Sequence, residues 1–361
     1  MWYNEADVNG NYDITIGSNN TIYANPSSTS GLFSNLTNVT SIDLSNMDTS
    51  GMTSMANMFS GNTSLTNITF GDNFNTSNVT RMDSMFSKCN KLTKLDLSMF
   101  DTSNVGGMNT MFWQCSSLKT LDLSNFDTSK LENTAHMFNG CSSLTTLNLS
   151  GFNTSNVTTA WYMFNGCRSL TSLDVSRFDT SKMTSMQNMF RDCSLLTSLD
   201  VSGFDTSNVT NMDFMFCGCN SLVNIDLSNF DTSKVTSMMG MLAGCLSLTS
   251  LDLSNFNTSN VTKMGIGWSG GGMFDNCRSL TSLDLSSFDT SKVTDMTNMF
   301  RYTDNLKTIY VSDLWNVSSV TSSDNMFTGC TSLKGIVPFD SSKTDASMAN
   351  YTTGYLTYKK R

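Results

Sequence analysis

Histidine is nearly absent: His136 is the one imidazole in 361 residues. Histidine-rich metal sites are thereby excluded, and histidine-based catalysis would have a single base to use. Proline occurs twice, and glutamate only at Glu5 and Glu132, against 28 aspartates. Charged residues make up 14% of the chain, where soluble domains carry about a quarter. Lysine plus arginine is 21 and the net charge is −9, so no basic patch for nucleic acid is expected. No apolar run approaches the roughly 18 residues of a membrane-spanning helix. Met1–Glu5 has neither the basic nor the apolar stretch of a secretory leader. A nucleophile elbow, a phosphate loop, an EF-hand loop and a C-x-x-C pair are all missing. These absences disfavour an enzyme, and a hydrolase would have to rest on His136 alone.

What is present in excess is methionine (26), phenylalanine (23) and cysteine (10), and a repeat explains all three. Anchoring on the first apolar residue of each L-D-L-S-like unit gives Ile42, Ile68, Leu95, Leu121, Leu147, Leu173, Leu199, Ile225, Leu251, Leu283, Ile309 and, weakly, Ile336. The steps are 26 residues, with 27 twice and 32 once, where Gly265–Gly272 holds a six-residue insertion. One such unit cannot bury its apolar side, but a stack of units can. The expected fold is a repeat solenoid of about twelve 26-residue units. Its L-x-L alternation gives a parallel β-sheet on one face, with Leu121 and Leu123 inward and Thr120, Asp122 and Ser124 outward. D-T-S reads as an Asx or ST turn. The M-x-x-M-F step could be a helical turn or an extended piece.

Two columns hold 19 of the 26 methionines, which suits a core filler better than a copper site. Nine cysteines occupy one column, from Cys89 to Cys330, and only Cys217 is off it. One cysteine per turn at a fixed place reads as a buried, reduced ladder rather than a set of disulfides or a zinc site.

The signature F-D-T-S-x-V-T-x-M-x-x-M-F-x-x-C-x-S-L-T-S-L-D-L-S, seen across Phe178–Ser202, resembles the BspA-like leucine-rich repeat proteins of the mycoplasma and lactobacillus surface-protein subtype. The resemblance spans roughly residues 31–337. It implies a leucine-rich repeat fold, extracellular display on a bacterial surface, and adhesion to host or neighbouring cells. No signal, lipobox or wall-anchor pattern accompanies it in these residues.

The strand face carries an aspartate column that includes Asp122, Asp174, Asp200 and Asp226, and D-T-S carries a second. Like charges one strand spacing apart repel by roughly 1 kcal/mol even in water, so something must offset this. Turn-capping bonds to serine and threonine are the expected answer. Calcium on the columns is the alternative, and otherwise no cofactor is expected. After D-T-S, lysine alternates with asparagine, which spaces the cations. Binding residues are sought where exposed columns break the consensus. The candidates are Trp113, His136, Trp161, Tyr162 and Phe214, then Trp268 in the glycine-rich insertion, with Asp122, Asp174, Asp200 and Asp226 on the strand face.

The expected organisation is an N-terminal cap over 1–31, the solenoid over 32–337, and a C-terminal cap or tail over 338–361. Within the first cap, Tyr12–Ile16 and Thr21–Tyr23 read as a β-hairpin. The function expected is a non-catalytic, adhesin-like module that takes an extracellular protein or glycan, with no nucleic acid and no membrane insertion. A structural spacer or stalk is the alternative.

Overall fold

The structure is a computed structural model that describes residues 2–3, 10, 12–15, 22–23, 30–267 and 270–361. It comprises two compact units, Met1–Phe178 and Asp179–Arg361. Each is a leucine-rich repeat solenoid with about 26 residues per coil, and the described residues hold almost no helix.

The strands of the first unit are β1 (Trp2–Tyr3), β2 (Tyr12–Thr15), β3 (Ile22–Tyr23), β4 (Val39–Leu44), β5 (Met47–Asp48), β6 (Asn67–Phe70), β7 (Thr120–Asp122) and β8 (Thr146–Asn148). Parallel pairing sets equivalent residues of successive coils side by side: Ile42 by Ile68, and Leu121 by Leu147. Leu121 and Leu123 are buried, while Thr120, Asp122 and Ser124 are exposed. The strands are short, and in several coils the same stretch forms no regular strand.

The turn side is the more regular one. M-x-x-M-F is neither a helical turn nor an extended piece but a run of tight turns. Two residues per coil are left-handed, one before Met-Phe and one before Cys: Thr110 (φ 55°) and Gln114 (φ 58°), then His136 (φ 56°) and Gly140 (φ 80°). Backbone N–H groups alternate between the local turn and the next coil. Trp113 N donates to Thr110 O at 3.0 Å, Phe112 N to Met137 O at 2.9 Å, and Gln114 N to Asn139 O at 2.7 Å. This satisfies the main chain of a segment whose Met and Phe side chains are fully buried. Phe33, Phe59, Phe86, Phe112, Phe138 and Phe164 stack in a column, with centroids 5.4–5.8 Å apart.

Two polar ladders run inside this core. Column thiols reach the carbonyl that follows Met in the preceding coil: Cys115 Sγ to Phe86 O and Cys141 Sγ to Phe112 O, both at 3.1 Å, and Cys277 Sγ to Leu242 O at 3.2 Å. All ten cysteines are free and buried, and burial pushes the Cys115 thiol up to about 12. Native protein is therefore expected to resist maleimide over minutes, while denatured protein labels at ten sites. Mass spectrometry would read this, and prompt native labelling of the column would refute the ladder. The second ladder is the threonine of D-T-S. Thr128, 1% exposed, donates to Asn153 O at 2.9 Å and accepts from Asn153 N at 2.7 Å.

Two end features differ from expectation. Tyr12–Ile16 and Thr21–Tyr23 do not pair as a hairpin. β2 runs antiparallel to β1 and parallel to β4, and β3 runs parallel to β5. Ile14 sits opposite Ile42, and Ile22 opposite Met47. The two strands thus continue two different sides of the coil. Residues 16 and 21 lie outside the described residues.

In the second unit, β9 (Ser282–Asp284), β10 (Thr308–Val311) and β11 (Thr357–Tyr358) form a parallel sheet in the order β11-β10-β9. Ile336, the weak twelfth anchor, is 63% exposed. β11 pairs Thr357 with Tyr310, which sets Leu356 beside Ile309, and both are fully buried. The last inward position is therefore filled from the C-terminal segment. Tyr355 covers the end of the phenylalanine column edge-on, 5.3 Å from Phe327, and its hydroxyl accepts from Asp340 N at 2.9 Å.

Candidate functional site

On the strand face, Asp122, Asp174, Asp200 and Asp226 are all exposed. Each Oδ1 accepts the N–H of the serine two residues on, at 2.9–3.0 Å. For Asp252 in the same column, Ser254 bonds hold the carboxyl below 3.8 even though Asp284 and Asp226 push it up. The turn bonds thus outweigh the like-charge repulsion. Asp122 lines a groove of about 760 Å³ in the first unit, together with Phe70, Leu95 and Met99. Asp226 lines one of about 510 Å³ in the second. Among the described residues, no group of three or more His, Cys, Asp or Glu is placed to hold a metal ion.

Lysine alternates with asparagine for a bonding reason beyond spacing. Asn104 Nδ2 donates to Ser77 O at 2.9 Å, and Lys130 Nζ of the next coil donates to Asn104 Oδ1 at 2.8 Å. Lys234 meets Asn208 in the same way at 2.8 Å.

The aromatic breaks separate into groups. His136 (φ 56°), Tyr162 (φ 57°) and Phe214 (φ 56°) occupy the left-handed position before Met-Phe, which asparagine holds at 57, 188, 298 and 325. A bulky side chain there costs about 1–2 kcal/mol relative to glycine or asparagine. For Phe214 the packing offsets that cost. Contrary to expectation it is 3% exposed, clustered with Cys217, Ala243, Met239 and Ile266. It fills the space beside Gly240, where a Cβ would lie 2.4 Å from its ring. It is core, not a contact surface. Trp268 lies outside the described residues.

The remaining four belong to one face of the first unit. Trp161 is 43% exposed. The His136 ring stacks on Tyr162 at 4.7 Å and lies 6.4 Å from Trp161 at 60°. Trp113 is half-buried and carries the Lys88 ammonium 4.8 Å from its ring centroid. Between these rings runs an amide chain that sequence reasoning missed. Asn165 Nδ2 donates to Asn139 Oδ1 at 2.9 Å, and Asn139 Nδ2 meets His136 Nδ1 at 2.7 Å. With Nδ1 accepting, the neutral imidazole carries its proton on Nε2. Burial holds the His136 pKa below 6.5. The available signal was the M-F-N-G-C string, repeated in two adjacent copies at 137–141 and 163–167.

The fold is that of a leucine-rich repeat protein, and it is compatible with a binding or scaffold role. Matches to the family described as "Mycoplasma protein of unknown function, DUF285" cover residues 27–144, 116–199, 191–268 and 268–353, and the chain belongs to that family. A search of curated protein sequences gives no match. Among solved structures, a leucine-rich cell surface protein from Faecalibacterium prausnitzii A2-165 is 20% identical, with 92% of this chain and 91% of that chain covered and a TM-score of 0.44. A leucine-rich repeat protein from Bacteroides ovatus is 16% identical over 92% of each chain, with a TM-score of 0.39. Another from Eubacterium ventriosum is 16% identical, over 81% of this chain and 83% of that one, with a TM-score of 0.34.

Proposed function

We propose that the chain is a non-catalytic, adhesin-like module displayed on a bacterial surface, whose aromatic face in the first unit takes a protein or glycan of a host or neighbouring cell. The observation that carries this is the placement of His136 and Tyr162 in left-handed backbone beside an exposed Trp161. The left-handed turn recurs from coil to coil, also at Ser84 and Thr110; what sets this face apart is that bulky rings take it up at the surface, where such a conformation costs about 1–3 kcal/mol. Phe214, under the same strain, is offset by burial; Trp161 is not buried and Tyr162 only half. The resemblance to the BspA-like repeat proteins supports surface display.

The test is an array of extracellular-matrix proteins and glycans, probed with the wild type and with the Trp161→Ala/Tyr162→Ala double variant. A saturable hit is expected, weakened at least tenfold in the variant, as loss of a central aromatic anchor does. A hit that the variant retains moves the contact to the strand face. No hit at all favours a spacer, for which the near-identical coils would suffice.

A further inference from the structure

The ligand class can be taken further, on the footing of that reading. Across the face of the first unit, four columns lie in order: Trp161, then His136–Tyr162, then Asn139–Asn165, then Gly140–Gly166. The backbone ladder fixes this order, with His136 N on Trp161 O at 3.0 Å and Gly140 N on Asn165 O at 2.7 Å.

The glycine column is a trough. Both glycines are left-handed (φ 80° and 73°). A Cβ on Gly166 would meet only backbone atoms of Gly140, the nearest at 3.5 Å, while one on Gly140 would meet the Gln114 side chain at 3.3 Å. Two successive coils thus lack side chains where the flanking one has Gln114. Trp113 precedes Asn139 and Asn165 in the amide column, so an indole bounds the same end.

We infer that this face is a carbohydrate-binding site for a neutral sugar chain. Trp161 offers an open ring for the apolar face of a pyranose, as amphipathic aromatic rings do when half solvated. The stacked His136–Tyr162 pair holds that indole from one side. Asn139 and the Asn165 Nδ2 keep valences beyond their mutual bonds for hydroxyls, and the half-buried Gly140, beside the buried Gly166, leaves room for the chain. Coils are spaced about 4.8 Å apart, close to one sugar ring per coil, so two rings fit between the Trp113 and Trp161 coils. Neutrality follows from the groups present. His136 is uncharged at neutral pH because burial lowers its pKa, and the Lys88 ammonium is seated on Trp113. A protein partner would need a broader apolar area than one half-exposed indole supplies.

The probes are neutral di- and trisaccharides of glucose, galactose and N-acetylglucosamine, their sialylated and sulfated counterparts, and matrix proteins. All are titrated against the full chain. Two variants accompany it. Trp161→Ala removes the open ring. Gly166→Asn fills the trough in a conformation this column already accepts, since Asn276 holds the equivalent place at φ 64°. The expected result is saturable binding of a neutral sugar, weakened at least tenfold in each variant with the thermal midpoint unchanged. Sugar binding that ignores both variants overturns this site. A preference for sialylated or sulfated sugars overturns its neutral character. A protein hit lost in Trp161→Ala, with no sugar hit, sinks the sugar but leaves the binding module standing. Absence of any hit sinks both.

Discussion

Arg301→Met is expected to destabilise the second unit by about 3–5 kcal/mol, the cost of leaving a buried carboxylate without its cation. The carboxylate is Asp275, whose side chain is 2% exposed against 18% for Arg301. The guanidinium holds it with two bonds, Nε to Oδ1 at 3.1 Å and Nη2 to Oδ2 at 2.6 Å. One backbone donor remains, Gly270 N at 3.0 Å, too little to solvate a charge. Adding Asp275→Leu to Arg301→Met should recover most of the stability, because an apolar pair replaces a buried ion pair at little cost. Urea unfolding followed by circular dichroism reads all three. A loss below about 1 kcal/mol in the single variant would show that the pair is solvated and not structural.

Phe138→Ala should cost the first unit a similar amount, about 3–5 kcal/mol. Phe138 is fully buried, between Phe112 at 5.7 Å and Phe164 at 5.6 Å. Truncation opens a cavity and removes two stacked contacts, each worth about 0.5–1.5 kcal/mol beyond burial. The coil cannot collapse into the space, because the main-chain ladder on both sides fixes its height. Phe138 N donates to Met163 O at 2.9 Å, and Phe138 O accepts the Cys167 thiol at 3.3 Å. The chain supplies its own control. Leu242 holds this column in the second unit and is also fully buried, so Phe138→Leu should cost less than about 1.5 kcal/mol. Equal losses for alanine and leucine would mean that stacking, not volume, governs the column.

Much of this was legible in the residues, because a repeat turns each position into a column. Alternation in Thr120–Ser124 placed the leucines inward. The fixed cysteine spacing indicated a buried ladder of free thiols. Aspartate two residues before serine indicated a turn cap, and Ser124 N on Asp122 Oδ1 at 2.9 Å is that cap. Of the site, Trp113, His136, Trp161 and Tyr162 were visible as breaks in exposed columns. Asn139, Asn165, Gly140 and Gly166 were not, because each is an ordinary residue in its own coil. They gain meaning only when coils 26 residues apart lie side by side. Phe214 shows the converse: it breaks the same column as His136 and Tyr162, but the short Gly240 of the next coil leaves it a cavity to fill.

The sequence by itself determined the solenoid, its period, its inward columns and the acidic chemistry of its surface, since these depend on residue type at a repeated place. The tertiary structure decided what depends on the next coil. It made M-x-x-M-F a left-handed double turn, because the neighbouring coil takes half of its N–H groups. It sent β2 and β3 to different sides, where each pairs in parallel with a strand of the first coil, β2 with β4 and β3 with β5. It placed Leu356 rather than Ile336 at the last inward position, because β11 adds to the sheet beside β10. It set two arrays of rings apart, one buried and one open, by the size of the residue one coil away.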